Sequence, residues 1–336
     1  MTGRFRVPYG RGCALAAGGL AAVLTVAGGT AAEPRDRVRR TDDADAQRLL
    51  RAAADAARDL RYEGRRFLTT WGNGPTTAHV AVVHEPGVGT GYASARTPDL
   101  ASEPIAATFD LLDGNYTLVR APGTTLLGRR VHVVEAYRPH GGVAGRFYLD
   151  AATGLLLRRE LLDAAGGPVC TSGFSSIRVG TAGTVPPSAR VETPWPGRLD
   201  AAARARLRDG GWPVREALPG RLRLYDARRA ADGTVHLGYS DGLATVSVFV
   251  QRGELDAREL AGWRRSGGDG RPVFRRDGLH RWAVTGGGGY VVTVVTEAPE
   301  STAAGVAALL PPRGEALPAR LARGARRLGS WVNPFD

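Results

Sequence analysis

The chain has 336 residues and a formal net charge of +12, and all 45 of its basic Lys/Arg positions are Arg. Without lysine there is no P-loop amine for nucleotide phosphates, no Schiff-base amine and no S-x-x-K serine hydrolase, and Arg titrates too high to act as a base near neutral pH. The length fits roughly two domains of about 150 residues, and 43% hydrophobic residues beside 46 Gly and 21 Pro describe a loop-rich chain that can still fill a core.

Arg4, Arg6 and Arg11 precede an uncharged run from Cys13 to Gly29, and Thr30-Ala31-Ala32 supplies small residues for cleavage. Residues 1–32 therefore read as a secretory signal peptide. The run is rich in Ala and Gly and falls short of the roughly 20 strongly apolar residues of a membrane anchor. Its removal takes away three Arg and no acid, so +12 becomes +9, and Cys170 is left without a second cysteine to bond. A lone thiol outside the cell reads as a small buried hydrophobe. Export, with Arg dispersed rather than gathered in an aromatic-interleaved stripe, argues against nucleic acid. Peripheral contact with an anionic membrane or wall polymer suits the compartment better.

Residues 33–43 form a polar leader. A helix is expected from Asp43 to Leu60, with Leu49, Ala53, Ala57 and Leu60 on one face. Asp42, Asp43 and Asp45 stand at its start and Arg58 and Arg61 at its end, as the helix dipole favours. The period then drops to two, predicting strands at Tyr62–Trp71, Ala78–His84, Asn115–Arg120, Val131–Tyr137, Arg146–Asp150, Leu155–Leu162 and Val169–Ile177. Thr97–Asp113 is a short helix or a loop. Ala151-Ala152-Thr153-Gly154 and Asp163-Ala164-Ala165-Gly166-Gly167 are turns. A long antiparallel meander after one helix makes the fold class α+β.

Pro186, Pro187, Pro194 and Pro196 mark a linker. The division is then signal peptide 1–32, leader 33–43, first domain 44–180, Pro-rich linker 181–203, second domain 204–311 and basic tail 312–336. Strands of the second domain are expected at Leu222–Ala227, Thr234–Tyr239, Ala244–Gln251, His280–Thr285 and Tyr290–Thr296. Gly286–Gly289 precedes a strand, not a helix, so it reads as a hairpin loop rather than a phosphate cradle. Glu300–Leu310 is a closing helix stopped by Pro311-Pro312. In the tail, Leu317, Leu321, Leu328 and Trp331 recur at roughly helical spacing among Arg residues, the pattern of a basic surface-binding segment or of a solvated end.

No constellation for catalysis emerges. His79 and His84, and His132 and Glu135, are oddly spaced on strands and face opposite ways, which is not a metal-ligand pattern. Gly173-Phe174-Ser175-Ser176 lacks the second Gly of a nucleophile elbow. Glu160 and Asp163 are an ordinary strand–turn pair, not a glycosidase dyad. Asn115-Tyr116-Thr117 is a glycosylation sequon, a short and unspecific pattern. The expectation is binding without catalysis, with no cofactor and no metal.

Two segments carry a resemblance. Phe147-Tyr148-Leu149-Asp150-Ala151-Ala152-Thr153-Gly154-Leu155-Leu156-Leu157-Arg158-Arg159, followed by Leu161-Leu162-Asp163, resembles the N-terminal domain of the RseB/MucB family. His236 to Val250, with Tyr239-Ser240-Asp241-Gly242-Leu243 at its centre, is similar to a strand pair of that family's C-terminal domain. Gly211-Trp212-Pro213 and Leu218-Pro219-Gly220 fit the entry to that domain. The resemblance implies a LolA/LolB-like first domain, a strongly curved antiparallel half-barrel around helices with an apolar cavity, plus a smaller antiparallel α+β domain. It also implies a binding protein that regulates an extracytoplasmic-function sigma factor. The partner is the outer segment of a membrane anti-sigma factor, and a lipid-like ligand weakens that complex through linked equilibria. Carried over residue by residue, the partner-binding positions are Tyr239, Ser240, Asp241, Gly242 and Leu243. Asp241-Gly242 reads as a two-residue turn, and Tyr239 and Leu243 either pack or touch the partner. The alternative is a lipid or lipoprotein carrier of the LolA/LolB type. An exported hydrolase of wall polymers has only compartment and charge in its favour.

Overall fold

The computed structural model describes residues 43–72, 74–92, 105–180, 197–266 and 272–310. The signal peptide, nearly all of the leader, most of the linker and the basic tail lie outside the described residues.

Helix α1, Ala44–Asp59, starts at Asp43, whose carboxylate accepts from the Asp45 amide at 2.8 Å. The same residue ties the helix to a strand, its amide donating to the Leu118 carbonyl at 2.9 Å. The buried face consists of Ala46, Leu50, Ala53 and Ala56, with Leu49, Ala57 and Leu60 half-buried beside it. The stripe expected from the sequence is thus turned by about one residue. Apolar side chains occur on both stripes, and the neighbours select the one where alanines allow close approach.

Strands β1 (Tyr62–Trp71), β2 (Pro75–Glu85) and β3 (Gly89–Tyr92) follow, then α2 (Ile105–Asn115), β4 (Thr117–Leu126), β5 (Arg129–Tyr137), β6 (Val143–Asp150), β7 (Leu156–Leu162) and β8 (Pro168–Val179). All eight strands make one antiparallel sheet in the order β3-β2-β1-β8-β7-β6-β5-β4. β3 and β4 are its free edges, so the sheet is open. Register shifts at Arg65/Arg66, Ala121/Thr124, Ala136/Tyr137, Tyr148/Leu149 and Leu161/Leu162 are the bulges that bend strands, and the result is a half-barrel. α1 and α2 pack on each other and fill its concave side, where Leu50, Leu112, Leu118, Val134, Phe147, Leu149 and Leu157 are fully buried.

A second antiparallel sheet holds β9 (Gly197–Arg198), β10 (Ala217–Leu218), β11 (Leu222–Arg229), β12 (Val235–Ser240), β13 (Thr245–Arg252), β14 (Arg264–Ser266), β15 (Val273–Arg276), β16 (Arg281–Gly287) and β17 (Tyr290–Thr296), with helices α3 (Ala201–Asp209) and α4 (Glu300–Leu309). The strand order is β10-β11-β12-β13-β17-β16-β15-β14, and β9 pairs with β11. Its core sets Val235, Leu237, Tyr239, Val246, Val248, Val250, Val292 and Val294 against Ala303, Val306, Ala307 and Leu310. The four-glycine loop is tighter than its length implies. Gly287 pairs with Tyr290, and Gly288 and Gly289 make the turn at φ of 62° and 81°, a region open to glycine at little cost. β9 and the start of α3 fall inside the stretch expected to be linker. α3 escaped the sequence reading because it buries a single residue, Leu207.

Two expectations follow. Leu50→Ala should cost about 2–5 kcal/mol by urea denaturation, whereas Leu49→Ala should cost far less; equal losses would contradict the observed helix face. The second concerns His236, stacked on Phe249 at 4.9 Å with Nε2 3.1 Å from the Ser247 hydroxyl. Burial pushes its pKa down to about 4, Asp226 opposing and Arg228 assisting. The folded state then stays neutral while the unfolded chain takes up a proton below about pH 6.5. Stability should fall as pH drops from about 6.5 towards 4, by up to about 3 kcal/mol. Denaturation curves of His236→Gln should be flatter across that window.

Candidate functional site

The residues that carry the resemblance meet where the two sheets join. β12 and β13 pair from Ser240 with Thr245, so the loop between them is four residues, Asp241–Ala244, not the two-residue turn expected. The reason is side-chain capping. Asp241 Oδ1 accepts from the amides of Leu243 and Ala244 at 2.8 and 2.7 Å. The Ser240 hydroxyl accepts from the Gly242 amide and donates to the Ala244 carbonyl, both at 2.9 Å.

This loop is driven into the half-barrel. Leu243 is fully buried and belongs, with Ala244, Leu279 and Ala298, to the core of the first sheet. Gly242 has φ of +100°, and a Cβ on it would lie 2.2 Å from the Leu112 Cα in α2. Gly145 makes room on β6, where a Cβ would lie 2.9 Å from a Leu243 methyl. Tyr239 and Ser240 are also fully buried, and the Tyr239 hydroxyl donates to the Arg215 carbonyl at 2.8 Å. Tyr239, Ser240 and Leu243 are therefore packed in the seam or the core behind it, and Asp241 and Gly242 are half-buried. A partner would reach the buried three only if the seam opened.

Polar groups from both sheets complete the seam. The Tyr116 hydroxyl donates to Asp241 Oδ2 at 2.6 Å, and the Asn115 side-chain amide donates to the Asp241 carbonyl at 2.9 Å. Burial, then the Asp241 charge, push the Tyr116 phenol well above its ordinary pKa, so it stays a donor. The Asn115 amide of the glycosylation sequon is thus committed to this contact. Arg159 donates to the Leu243 carbonyl and, at 2.7 Å, to Glu297. The Cys170 thiol points to the other Glu297 oxygen at 3.6 Å. Burial raises the thiol pKa well above its usual value, with Glu297 adding to the effect, so it remains protonated. Arg281, only 4% exposed, spans the seam, donating to the Glu297 carbonyl at 2.9 Å and to the Trp71 carbonyl. The Thr70 hydroxyl donates to the Gly278 carbonyl at 3.2 Å.

The first motif builds the sheet that receives the loop. Phe147, Leu149 and Leu157 face the core, and Asp150 accepts from Arg129 at 2.8 Å and from the Thr153 hydroxyl at 2.5 Å. Burial alone would raise the Asp150 pKa, but these donors outweigh it and hold the carboxyl below its ordinary value. Arg159 of this motif reaches the second motif with its guanidinium. Neither Arg159–Glu297 nor Tyr116–Asp241 has a local sequence signal, because the partners lie far apart in the chain.

The candidate ligand residues stay apart. His84 is buried, stacked on Tyr62 at 4.9 Å and bonded to the Thr90 hydroxyl and the Arg58 carbonyl. His79 is exposed beside Phe67. His132 lies 3.3 Å from Arg120, and Glu135 is held by Arg146 and Tyr137. Among the described residues no group of three or more His, Cys, Asp or Glu could hold a metal ion, and no helix is long and apolar enough to cross a membrane.

Arg159→Met should cost about 1–3 kcal/mol, because it removes the charged partner of the half-buried Glu297 carboxylate. Gly242→Ala should cost at least about 2 kcal/mol, adding a strained backbone to a clash with α2. Urea denaturation measures both, and near-neutral values would mean that the seam is held elsewhere.

No family model matches the sequence, and no curated protein matches it. Solved structures do. A MucA/MucB complex from Pseudomonas aeruginosa is 21% identical, with a TM-score of 0.47, over 81% of this chain and 100% of that chain. A MucB structure is 22% identical, with a TM-score of 0.48, over 81% of this chain and 99% of that one. A LolA superfamily protein from Nitrosomonas europaea is 12% identical, with a TM-score of 0.19, over 41% of this chain and 94% of that one. The chain is thus similar to MucB along most of its length and, over a shorter stretch, to a LolA-type protein.

Proposed function

We propose that this chain is an exported, non-catalytic binding protein of the RseB/MucB type. In this reading it regulates an extracytoplasmic-function sigma factor by binding the outer segment of its membrane anti-sigma factor. The observation that carries the reading is the meeting of the two motif segments. Arg159, in the first, donates to the carbonyl of Leu243, in the second. Segments far apart in sequence that resemble one family therefore form one structural joint. Within this reading residues 44–180 and 204–311 act as two domains. Tyr239–Leu243 serve partner binding by setting the angle between the sheets, and a lipid-like ligand acts through the first domain.

The open half-barrel favours a second reading, a lipid or lipoprotein carrier, because a curved sheet around helices can widen to admit an acyl chain. Here Leu50, Leu112 and Leu243 fill the concavity, so a carried chain would have to displace packed side chains.

A pull-down decides between them. The secreted chain, residues 33–336, is expected to retain the extracytoplasmic segment of the anti-sigma protein encoded beside it. Retention no better than a bead control would overturn the regulatory reading. An acyl chain found by native mass spectrometry, without partner retention, would favour the carrier.

A further inference from the structure

A cleft of ≈ 290 Å³ opens at the rim of the half-barrel, and its lining shares no residue with the seam. One stripe of α1 forms a wall: Asp45, Arg48, Leu49 and Ala52 recur at the spacing of a single helix face. The other wall comes from the neighbouring strands. Arg120 stands two residues beyond Leu118 on β4, and His132 two before Val134 on β5. Both therefore lie on the concave side, with those two core residues. Half-buried Leu49 and exposed Ala52, with the arginine stems, give the cleft its apolar part.

The charged lining consists of donors apart from one carboxylate, and that one is already engaged. Asp45 Oδ1 accepts from Arg48, and its Oδ2 lies 3.9 Å from Arg120. The carboxylate holds the two guanidiniums side by side and leaves one positive charge in excess. Arg120 Nη2 lies 3.3 Å from His132 Nδ1. Arginine cannot accept, so Nδ1 does, and the neutral ring carries its proton on Nε2, a further donor at the cleft. Each guanidinium has five N–H groups, and among the described residues those of Arg48 and Arg120 meet only Asp45 and His132. Surplus donors around a cleft suit an anionic oxygen ligand. A carboxylate offers two oxygens, whereas a phosphate monoester offers three and a charge of about −1.5 to −2. Three oxygens match donors that arrive from α1, β4 and β5, and guanidinium–phosphate bonds are among the strong charge-assisted ones. The volume stands at the low end of the roughly 300–1,000 Å³ of small-molecule pockets, room for a small ester or a head group.

We propose that this cleft binds the terminal phosphate of a phosphomonoester, with Arg48, Arg120 and His132 Nε2 as donors and Leu49 and Ala52 against the organic part. Asp45 positions the two guanidiniums.

Calorimetric titration of residues 33–336 with phenyl phosphate, in a phosphate-free buffer, tests this. Saturable binding is expected, weakened at least about tenfold in Arg120→Gln and in Arg48→Gln, the scale of one charge-assisted hydrogen bond. Arg120→Lys keeps the charge without the fork and should recover only part of the loss. Both arginines are exposed, so the urea midpoints of these variants should match the parent chain. Arg65→Gln, at an exposed arginine of β1 outside the cleft, should leave the affinity unchanged. Vesicles of phosphatidylcholine with phosphatidic acid identify the source of the phosphate. Binding of phenyl phosphate in solution assigns a free ester; binding seen only on these vesicles, and lost in Arg120→Gln, assigns a lipid head group of the same chemistry. Binding to neither would overturn the proposal. So would benzoate bound as tightly as phenyl phosphate, or a loss in Arg65→Gln equal to that in Arg120→Gln.

Discussion

The joint between the two sheets depends on the burial of one loop, Asp241–Ala244, in a core that belongs to another part of the chain. Removing a leucine such as Leu243 from water contributes about 1.5–3 kcal/mol. A loop carries backbone polar groups that cannot be left unpaired out of water. Asp241 and Ser240 satisfy them from within, and Asn115, Tyr116 and Arg159 do so from the receiving side. Glycine at 242 and at 145 removes the atoms that would keep the surfaces apart. With those conditions met, the core of the first sheet takes in Leu243, Ala244 and Ala298, with Leu279 packed against it, while the second sheet keeps a core of its own.

Arginine is the second element of the joint, and it gives the lysine-free composition a structural use. A planar guanidinium donates in several fixed directions, whereas an ammonium is a point charge. Arg159 serves a backbone carbonyl and a carboxylate at once, and Arg281 serves two carbonyls on opposite sides of the seam. Arg138 likewise holds the carbonyls of Val143 and Leu162. The high proportion of arginine thus supplies multidentate clamps for carbonyls at strand ends and across the joint. Glu297 balances the half-buried charge of Arg159.

Much of the fold was legible from residue periodicity. β1 and β17 occupy the predicted spans Tyr62–Trp71 and Tyr290–Thr296, because alternation of apolar and polar residues is itself the condition for a half-buried strand. α3, β14 and β15 were not legible. They are short and charged, and they persist through neighbours that no local window contains. The face of α1 was misjudged for a related reason: two apolar stripes compete, and only α2 and the sheet choose between them. The motif Tyr239–Leu243 was visible as a motif, but its burial was not. A glycine after an aspartate signals a turn, and nothing local says that the turn will enter another core.

What the sequence determined by itself is the set of local elements: the antiparallel α+β class, most strand spans and the hairpins at glycine. These follow from side-chain alternation and backbone freedom, which are properties of neighbouring residues. The tertiary structure alone decided which residues form the joint. Burial of Leu243, pairing of Arg159 with Glu297 and capping of Tyr116 by Asp241 all need groups brought together from distant parts of the chain. The energy of each contact exists only once the other sheet is in place.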